Sequence, residues 1–315
     1  MQTIFQSTPE GTFSQVDSIC DGAWISLVEP TPSEISEIST RCGVDPDDLR
    51  SALDVEERSR VTAEEGYVLV LVDVPTTEKR GGGRTSYHTI PLGIILTQQV
   101  IITVCLERVS VIAEFESGRV RDLRTFQKTR FTLQLLLRNA ASYLSSLRDI
   151  SKMIDKQEAA LRRSTRNEEL VEMLELEKSL VYISTSLVSN QRVLTRLVRT
   201  PEVKKYPDDD DLLQDTIVEN EQAMEMASIY SGILSGTMDA YASVIANNQN
   251  AIMKTLALVT IVLSIPTMIF SMYGMNTQPD GMPFLHDVWG FGLIVAVSFM
   301  LSAAALIFFF RKRWF

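Results

Sequence analysis

Histidine and cysteine are almost missing from this 315-residue chain, which has 2 His and 3 Cys. Cys20, Cys42 and Cys105 are widely spaced, odd in number, and without a Cys-x-x-Cys pair or a histidine neighbour. A disulfide framework and a thiolate- or imidazole-rich metal site are therefore not expected. The three read as reduced cytosolic thiols, with Cys105 in an apolar run and so in the core. A phosphate-binding loop is missing too. Gly81-Gly82-Gly83 sits among charged residues and leads into no helix that opens with Lys-Ser or Lys-Thr, so it reads as a hairpin turn or a flexible loop. With no paired acid and base, no nucleophile with a histidine partner and no cofactor loop, neither an enzyme nor an organic cofactor is expected. Met1 to Glu10 is polar, so no cleaved leader is expected there.

Positive charge is also short: Lys and Arg number 30 against 40 acidic residues, a formal charge of −10. From Lys254 onward four cations and two Asp give +2, which leaves −12 for everything before it. Such a surface repels nucleic acid and anionic lipid and attracts cations. No nucleic-acid partner is expected.

What the chain has in quantity is uncharged length. Thr255 to Gln278 and Val288 to Phe310 each exceed the roughly 20 residues a helix needs to cross a bilayer. Only residues 279–287 separate them, so they are expected to form a membrane-embedded helical hairpin. Arg311-Lys312-Arg313-Trp314-Phe315 follows, and the positive-inside rule places that end in the cytoplasm. The turn bearing Asn276 then faces outward, and both termini are cytoplasmic beneath the cell (inner) membrane.

Before Lys254 the chain changes character once. Ala23 to Pro30, Gly66 to Pro75 and Ser86 to Val104 are rich in Val, Ile and Leu and bounded by turn residues, which reads as buried strands. Thr31-Pro32-Ser33-Glu34 opens a short helix and Asp45 to Leu53 a second. From Val109 the strand signal stops. Phe131, Leu135, Leu136, Tyr143, Leu144, Leu147, Ile150 and Ile154 mark one face of a helix over Thr125 to Ala160. Leu170, Leu174, Val181, Leu187, Val188, Leu194, Leu197 and Val198 mark its antiparallel partner, which stops at Thr200-Pro201 and Tyr206-Pro207. Asp208-Asp209-Asp210-Asp211 then caps a further helix with no proline until Pro266, on the order of 100 Å long at 1.5 Å per residue.

The fold class is thus an α/β cytosolic domain followed by long helices, one stalk helix continuing into the first of two C-terminal transmembrane helices. The expected organisation is an α/β domain over residues 1–110, antiparallel helices over 111–207 and a stalk over 208–253. A first span over 254–276, an external loop over 277–287, a second span over 288–310 and a basic cytosolic tail over 311–315 complete it.

Strides of three and four back from Gly274 meet Ser271, Thr267, Ser264, Thr260, Ala257, Met253, Asn250, Ala246, Ser243 and Asp239. This 3.5-residue repeat is the seam of a left-handed bundle, yet its members are small or polar where a soluble coiled coil has Leu or Ile. Hydroxyls inside a span are interhelical glue or the lining of a wet path. A two-span hairpin encloses no volume, so a path needs several copies with the stripe facing a symmetry axis.

Here a resemblance becomes specific. The large α/β domain, the very long stalk helix, two C-terminal spans and Gly274-Met275-Asn276 at the outer end of the first resemble the CorA family of divalent-cation channels. Met282-Pro283 after the signature and Trp24-Ile25-Ser26-Leu27-Val28-Glu29-Pro30-Thr31 near the start add to it. Where the family's loop carries Glu after Met-Pro this chain has Phe284, and Asp280 and Asp287 are the loop's acids instead.

The resemblance implies a homopentamer conducting Mg²⁺, with Co²⁺ and Ni²⁺ as further ions. Gly274, Met275 and Asn276 would form its selectivity filter. Asn276 would hold a hydrated ion, with Asn250 and Asp239 as lower stations and Met253 and Leu256 as the apolar constriction. A neutral amide ring suits Mg²⁺, which dehydrates reluctantly, because it can bond to the ion's waters without stripping them. A divalent ion gains roughly 4.6 kcal/mol per 100 mV on entering a negative-inside cell. Regulatory divalent ions would bind at Asp215, with Asp73, taken to end a strand, as the candidate partner. A zinc transporter of the same architecture is the alternative reading, although those relatives usually carry Gly-Val-Asn. A membrane-anchored coiled-coil scaffold or signalling protein is another, but it needs no hydroxyl at every seam position.

Overall fold

The computed structural model describes residues 1–80, 84–161, 167–200, 207–276, 282–284 and 288–311. They divide into two units, Met1–Met238 and Asp239–Phe315.

The first unit is built on a sheet of seven strands in the order β2-β1-β3-β7-β6-β5-β4. These are β1 (Gln2–Ser7), β2 (Phe13–Val16), β3 (Trp24–Val28), β4 (Arg60–Glu64), β5 (Tyr67–Arg80), β6 (Arg84–Thr97) and β7 (Ile101–Cys105). The β3–β7 pair is parallel and the other described pairs are antiparallel. Strand side chains alternate between faces, and both faces are buried. Val68, Val70, Val72 and Trp24 join one core with Phe115, Phe131, Leu135 and Leu194. Leu69, Leu71 and Ile25 join the other with Ile35, Ile38 and Leu49. The sheet is therefore the middle of three layers. The Trp24 indole N–H donates to Thr103 Oγ1 at 2.9 Å, so the largest core side chain leaves no orphaned donor.

Helices α1 (Pro32–Cys42) and α2 (Pro46–Ser51) cover one face. The start of α1 is the one expected from Thr31-Pro32-Ser33-Glu34. Thr31 Oγ1 accepts from the Glu34 N–H at 3.3 Å and Glu34 Oε2 accepts from the Thr31 N–H at 2.7 Å, a reciprocal capping box. Helices α3 (Ser110–Glu116), α4 (Lys128–Leu161) and α5 (Asn167–Val198) lie on the other side. All eight expected positions of α4 are buried. Strands β1, β2 and β4 were not expected, because they are short, rich in polar residues and weakly patterned.

The face expected for α5 needs correction. Leu174, Val181 and Val198 are exposed, while Met173, Leu176, Leu180 and Ile183 are buried beside the expected Leu187, Leu194 and Leu197. The true seam includes polar residues that a hydrophobic count passes over. Ser179 Oγ accepts from the Tyr87 N–H at 3.2 Å, Ser186 Oγ donates to Thr89 Oγ1 at 2.9 Å, and Asn190 pairs with the Asp73 main chain. Gly81-Gly82-Gly83 lies outside the described residues, and β5 pairs with β6 up to Arg80↔Arg84.

Helix α6 (Pro207–Tyr273) begins in the first unit, where Leu213, Thr216, Asn220, Ala223, Ala227 and Leu234 are buried. Asp209 is buried and pairs with Arg130 at 3.8 Å. The second unit holds the rest of α6 and α7 (Gly290–Arg311), and both helices are long and apolar enough to cross a membrane. A Cβ at Gly290 would collide with the Phe284 carbonyl, so the start of α7 requires glycine there.

Candidate functional site

In the second unit the faces of α6 separate cleanly. From Thr255 to Tyr273, Leu258, Val262, Ile265, Pro266, Ile269 and Tyr273 are its partly covered residues. They form the side toward α7, where Ser302 Oγ donates to Val262 O at 3.2 Å. At 100° per residue this side is centred opposite Thr260, Ser264, Thr267 and Ser271. Those four hydroxyl residues, with Asp239, Ser243, Asn250, Met253, Leu256, Ala257, Gly274, Met275 and Asn276, are all exposed. A groove of about 710 Å³ runs along Leu256, Thr260, Ser264, Thr267 and Ser271, with Met268, Met272 and Met275 on its edge.

Three of the four hydroxyl protons are already used. Thr260 Oγ1 donates to Leu256 O at 2.8 Å, Ser264 Oγ to Thr260 O at 2.7 Å, and Thr267 Oγ1 to Leu263 O at 2.8 Å. Each oxygen is left with lone pairs and no free proton, so the stripe presents acceptors. Acceptors suit a cation or the outward-pointing protons of its hydration shell. Lower down, Ser243 Oγ donates to Asp239 O at 3.1 Å in the same way.

Helix α6 ends one residue before Gly274, whose N–H donates to Phe270 O at 3.0 Å and Ser271 O at 3.2 Å. Tyr273 Oη donates to Pro283 O at 3.2 Å and ties this end to the Met282-Pro283 segment. Asp280, Asp287 and the tail beyond Arg311 lie outside the described residues. Among the described residues no group of three or more His, Cys, Asp or Glu is placed to hold a metal ion within one chain.

The two expected regulatory carboxylates differ. Asp215 is exposed on α6. Continuing the stripe's alternation below Asp239 passes Gly236, Gly232, Ile229, Glu225, Gln222, Val218, Asp215 and Asp211, every one exposed. Asp73 does not end a strand as expected. It lies inside β5, because the strand runs on through Pro75 opposite Thr89. Asn190 Oδ1 accepts from its N–H at 2.9 Å, while Asn139 and Asn190 amides donate to its carbonyl at 2.8 and 2.9 Å. Burial pushes its carboxyl above the ordinary range, against the lowering effect of Ser186 and Ser59. Burial likewise raises the neighbouring Tyr143 phenol, helped by the Asp73 charge. Cys105, buried as expected, is pushed up to about 12, first by burial and then by Glu116 and Glu107.

Two features escaped the sequence. One is the pair of asparagines clamping the Asp73 peptide, Asn139 beside Arg138 and Asn190 between Ser189 and Gln191, which read as surface positions. The other is Ser302: with Gly290 and Ser298 it makes up the buried set of α7. A serine at i, i+4 in an apolar helix was the available signal.

An α/β domain joined to a long helix and an apolar helical pair, with an acceptor stripe ending in Gly-Met-Asn, defines a class of ion-transporting membrane proteins. The chain belongs to the CorA-like Mg²⁺ transporter protein family, whose model matches residues 21–313. It is 26% identical over 300 residues to the cobalt/magnesium transport protein CorA of Methanocaldococcus jannaschii, covering 92% of this chain and 90% of that one. The Thermotoga maritima cobalt/magnesium transport protein CorA is 25% identical, covering 92% and 83%. In three dimensions the chain resembles the complete CorA magnesium transporter of M. jannaschii with a TM-score of 0.85 at 23% identity, over 100% of this chain and 99% of the other. That likeness establishes the fold. The family is one of transporters, not of enzymes.

Proposed function

We propose that copies of this chain assemble around the α6 stripe into a passive, membrane-potential-driven channel for Mg²⁺ influx, with Co²⁺ and Ni²⁺ as further ions. The observation that carries it is the row of acceptor oxygens on the side of α6 turned away from α7. One chain leaves that row uncovered, and only neighbouring copies can enclose it without facing hydroxyls to lipid. The count of five is carried over from the family, as is the placement in the inner membrane with both termini cytoplasmic. The cobalt/magnesium relatives support the ion class.

In this reading Gly274, Met275 and Asn276 form the filter, Asn250 and Asp239 are lower stations, and Met253 with Leu256 closes the path by dewetting. Intracellular divalent ions bound near Asp215, between neighbouring cytosolic units, hold the closed state, and their loss loosens the interfaces. Asp73, half-buried inside β5, is the candidate partner of Asp215 in that task. The domain boundaries follow the same reading, with the stalk at 208–253, spans at 254–276 and 288–310, and the loop between them outside.

The test is flux into liposomes containing only this protein. Mg²⁺ should enter faster with a negative interior and slower when the cytosolic side is preloaded with millimolar Mg²⁺. Uptake indifferent to potential would overturn the passive mechanism. Zn²⁺ entering faster than Mg²⁺, Co²⁺ and Ni²⁺ would overturn the ion assignment.

A further inference from the structure

Pro266 interrupts the backbone ladder of α6 in the middle of the polar stripe. A proline has no N–H, so the carbonyl four residues back, that of Val262, receives nothing from its own helix. In hydrocarbon no water can take that place. The structure supplies a substitute from the other span: Ser302 Oγ lies 3.2 Å from Val262 O. The same hydroxyl is 3.1 Å from Ser298 O, and it has one proton. Ser298 O already faces the Ser302 main-chain N–H of an unbroken helix, whereas Val262 O has no helical donor. The proton therefore belongs with Val262. Ser298 is fully enclosed and Ser302 5% exposed, on a helix whose large apolar side chains mostly point outward.

We propose that Ser302 is a positioning residue for permeation: its hydroxyl replaces the hydrogen bond that Pro266 removes and so fixes the course of α6 between Ser264 and Thr267. This rests on the reading of the stripe as an ion path. Without the bond, α6 is free to flex at Pro266, and the oxygens above it lose register with those below. Ser302 touches no ion and acts through the Val262 carbonyl.

The test is a double-mutant cycle on the full-length protein in liposomes, read as initial Mg²⁺ uptake. Ser302→Ala should change uptake by about threefold to tenfold, the scale of one net hydrogen bond, and Ser302→Thr should restore it. Pro266→Ala returns an N–H to Val262 O, so adding Ser302→Ala to that background should have no further effect. If Pro266→Ala carries no flux, the same cycle is read as melting temperature, where Ser302→Ala should lower the wild-type value and leave the Pro266→Ala value unchanged. Equal effects of Ser302→Ala in both backgrounds, or wild-type uptake by Ser302→Ala, would overturn the proposal while leaving the path intact. A wild-type protein that passes no ion would overturn both.

Discussion

Helix α6 carries two seams with opposite chemistry. In the first unit Leu213, Thr216, Asn220, Ala223 and Ala227 step by three and four and are buried within the chain. Asn220 completes that seam by donating to Leu187 O at 3.1 Å and Gln191 Oε1 at 2.8 Å on α5. The second seam, through Asp239, Asn250, Thr260, Ser264 and Ser271, keeps the same stride and is wholly exposed. Small and polar residues appear in both. Thr216 bonds to its own helix at Leu212 O, 2.7 Å away, as the hydroxyls of the second seam do; what differs is what lies opposite. Asn220 is spent on a neighbouring helix, while Thr260, Ser264 and Thr267 bond to their own helix and hold their lone pairs outward. The first seam is a structural joint, and the second suits a mobile partner.

The sharpest way to break that contrast is Asn276→Ala. Mg²⁺ uptake in liposomes should fall by more than about tenfold with assembly unchanged, because the amide oxygens that would hold the ion's waters are gone. Next comes Ala223→Leu, which forces bulk into the closed seam. It should destabilise the first unit by about 1–3 kcal/mol in denaturant melts and leave the ion preference alone. Thr267→Val tests the open seam by removing an acceptor at nearly constant shape. Uptake should drop several-fold with an unchanged melting temperature; a lowered melting temperature would make Thr267 a packing residue instead.

The smallest effect is one of pH. Burial raises the Asp73 carboxyl above its ordinary 3.8, so the folded state holds this proton more tightly than the unfolded state does. Its contribution to stability is complete below that value and is lost as pH rises through the raised one. Asp73→Asn removes the loss. The variant should melt with the wild type in acid and above it at neutral pH, and equal melting at both would remove Asp73 from the account.

Much of this was legible because it is local. The Thr31 capping box, the apolar face of α4 and the uncharged length of the two spans each depend on residues a few positions apart. The polar stripe was legible for a related reason, since hydroxyls at seam spacing inside a span are rare enough to notice. The resemblance to a known family rested on Gly274-Met275-Asn276 and its surroundings. The buried side of α5 was not legible. Its Ser179, Ser186 and Asn190 look like surface residues until strands β5 and β6 supply their partners.

The sequence by itself determined that the chain crosses a membrane, that a long helix leads into the first span, and that the span has one hydrophilic edge. These follow from composition and period, which any neighbour must respect. Only the tertiary structure decided that α7 stands behind the stripe and not across it, that Asp73 is half-buried and Asp215 exposed, and that Ser302 meets the carbonyl Pro266 leaves bare. Each of those depends on which groups satisfy one another across distant positions, and no spacing along the chain records that.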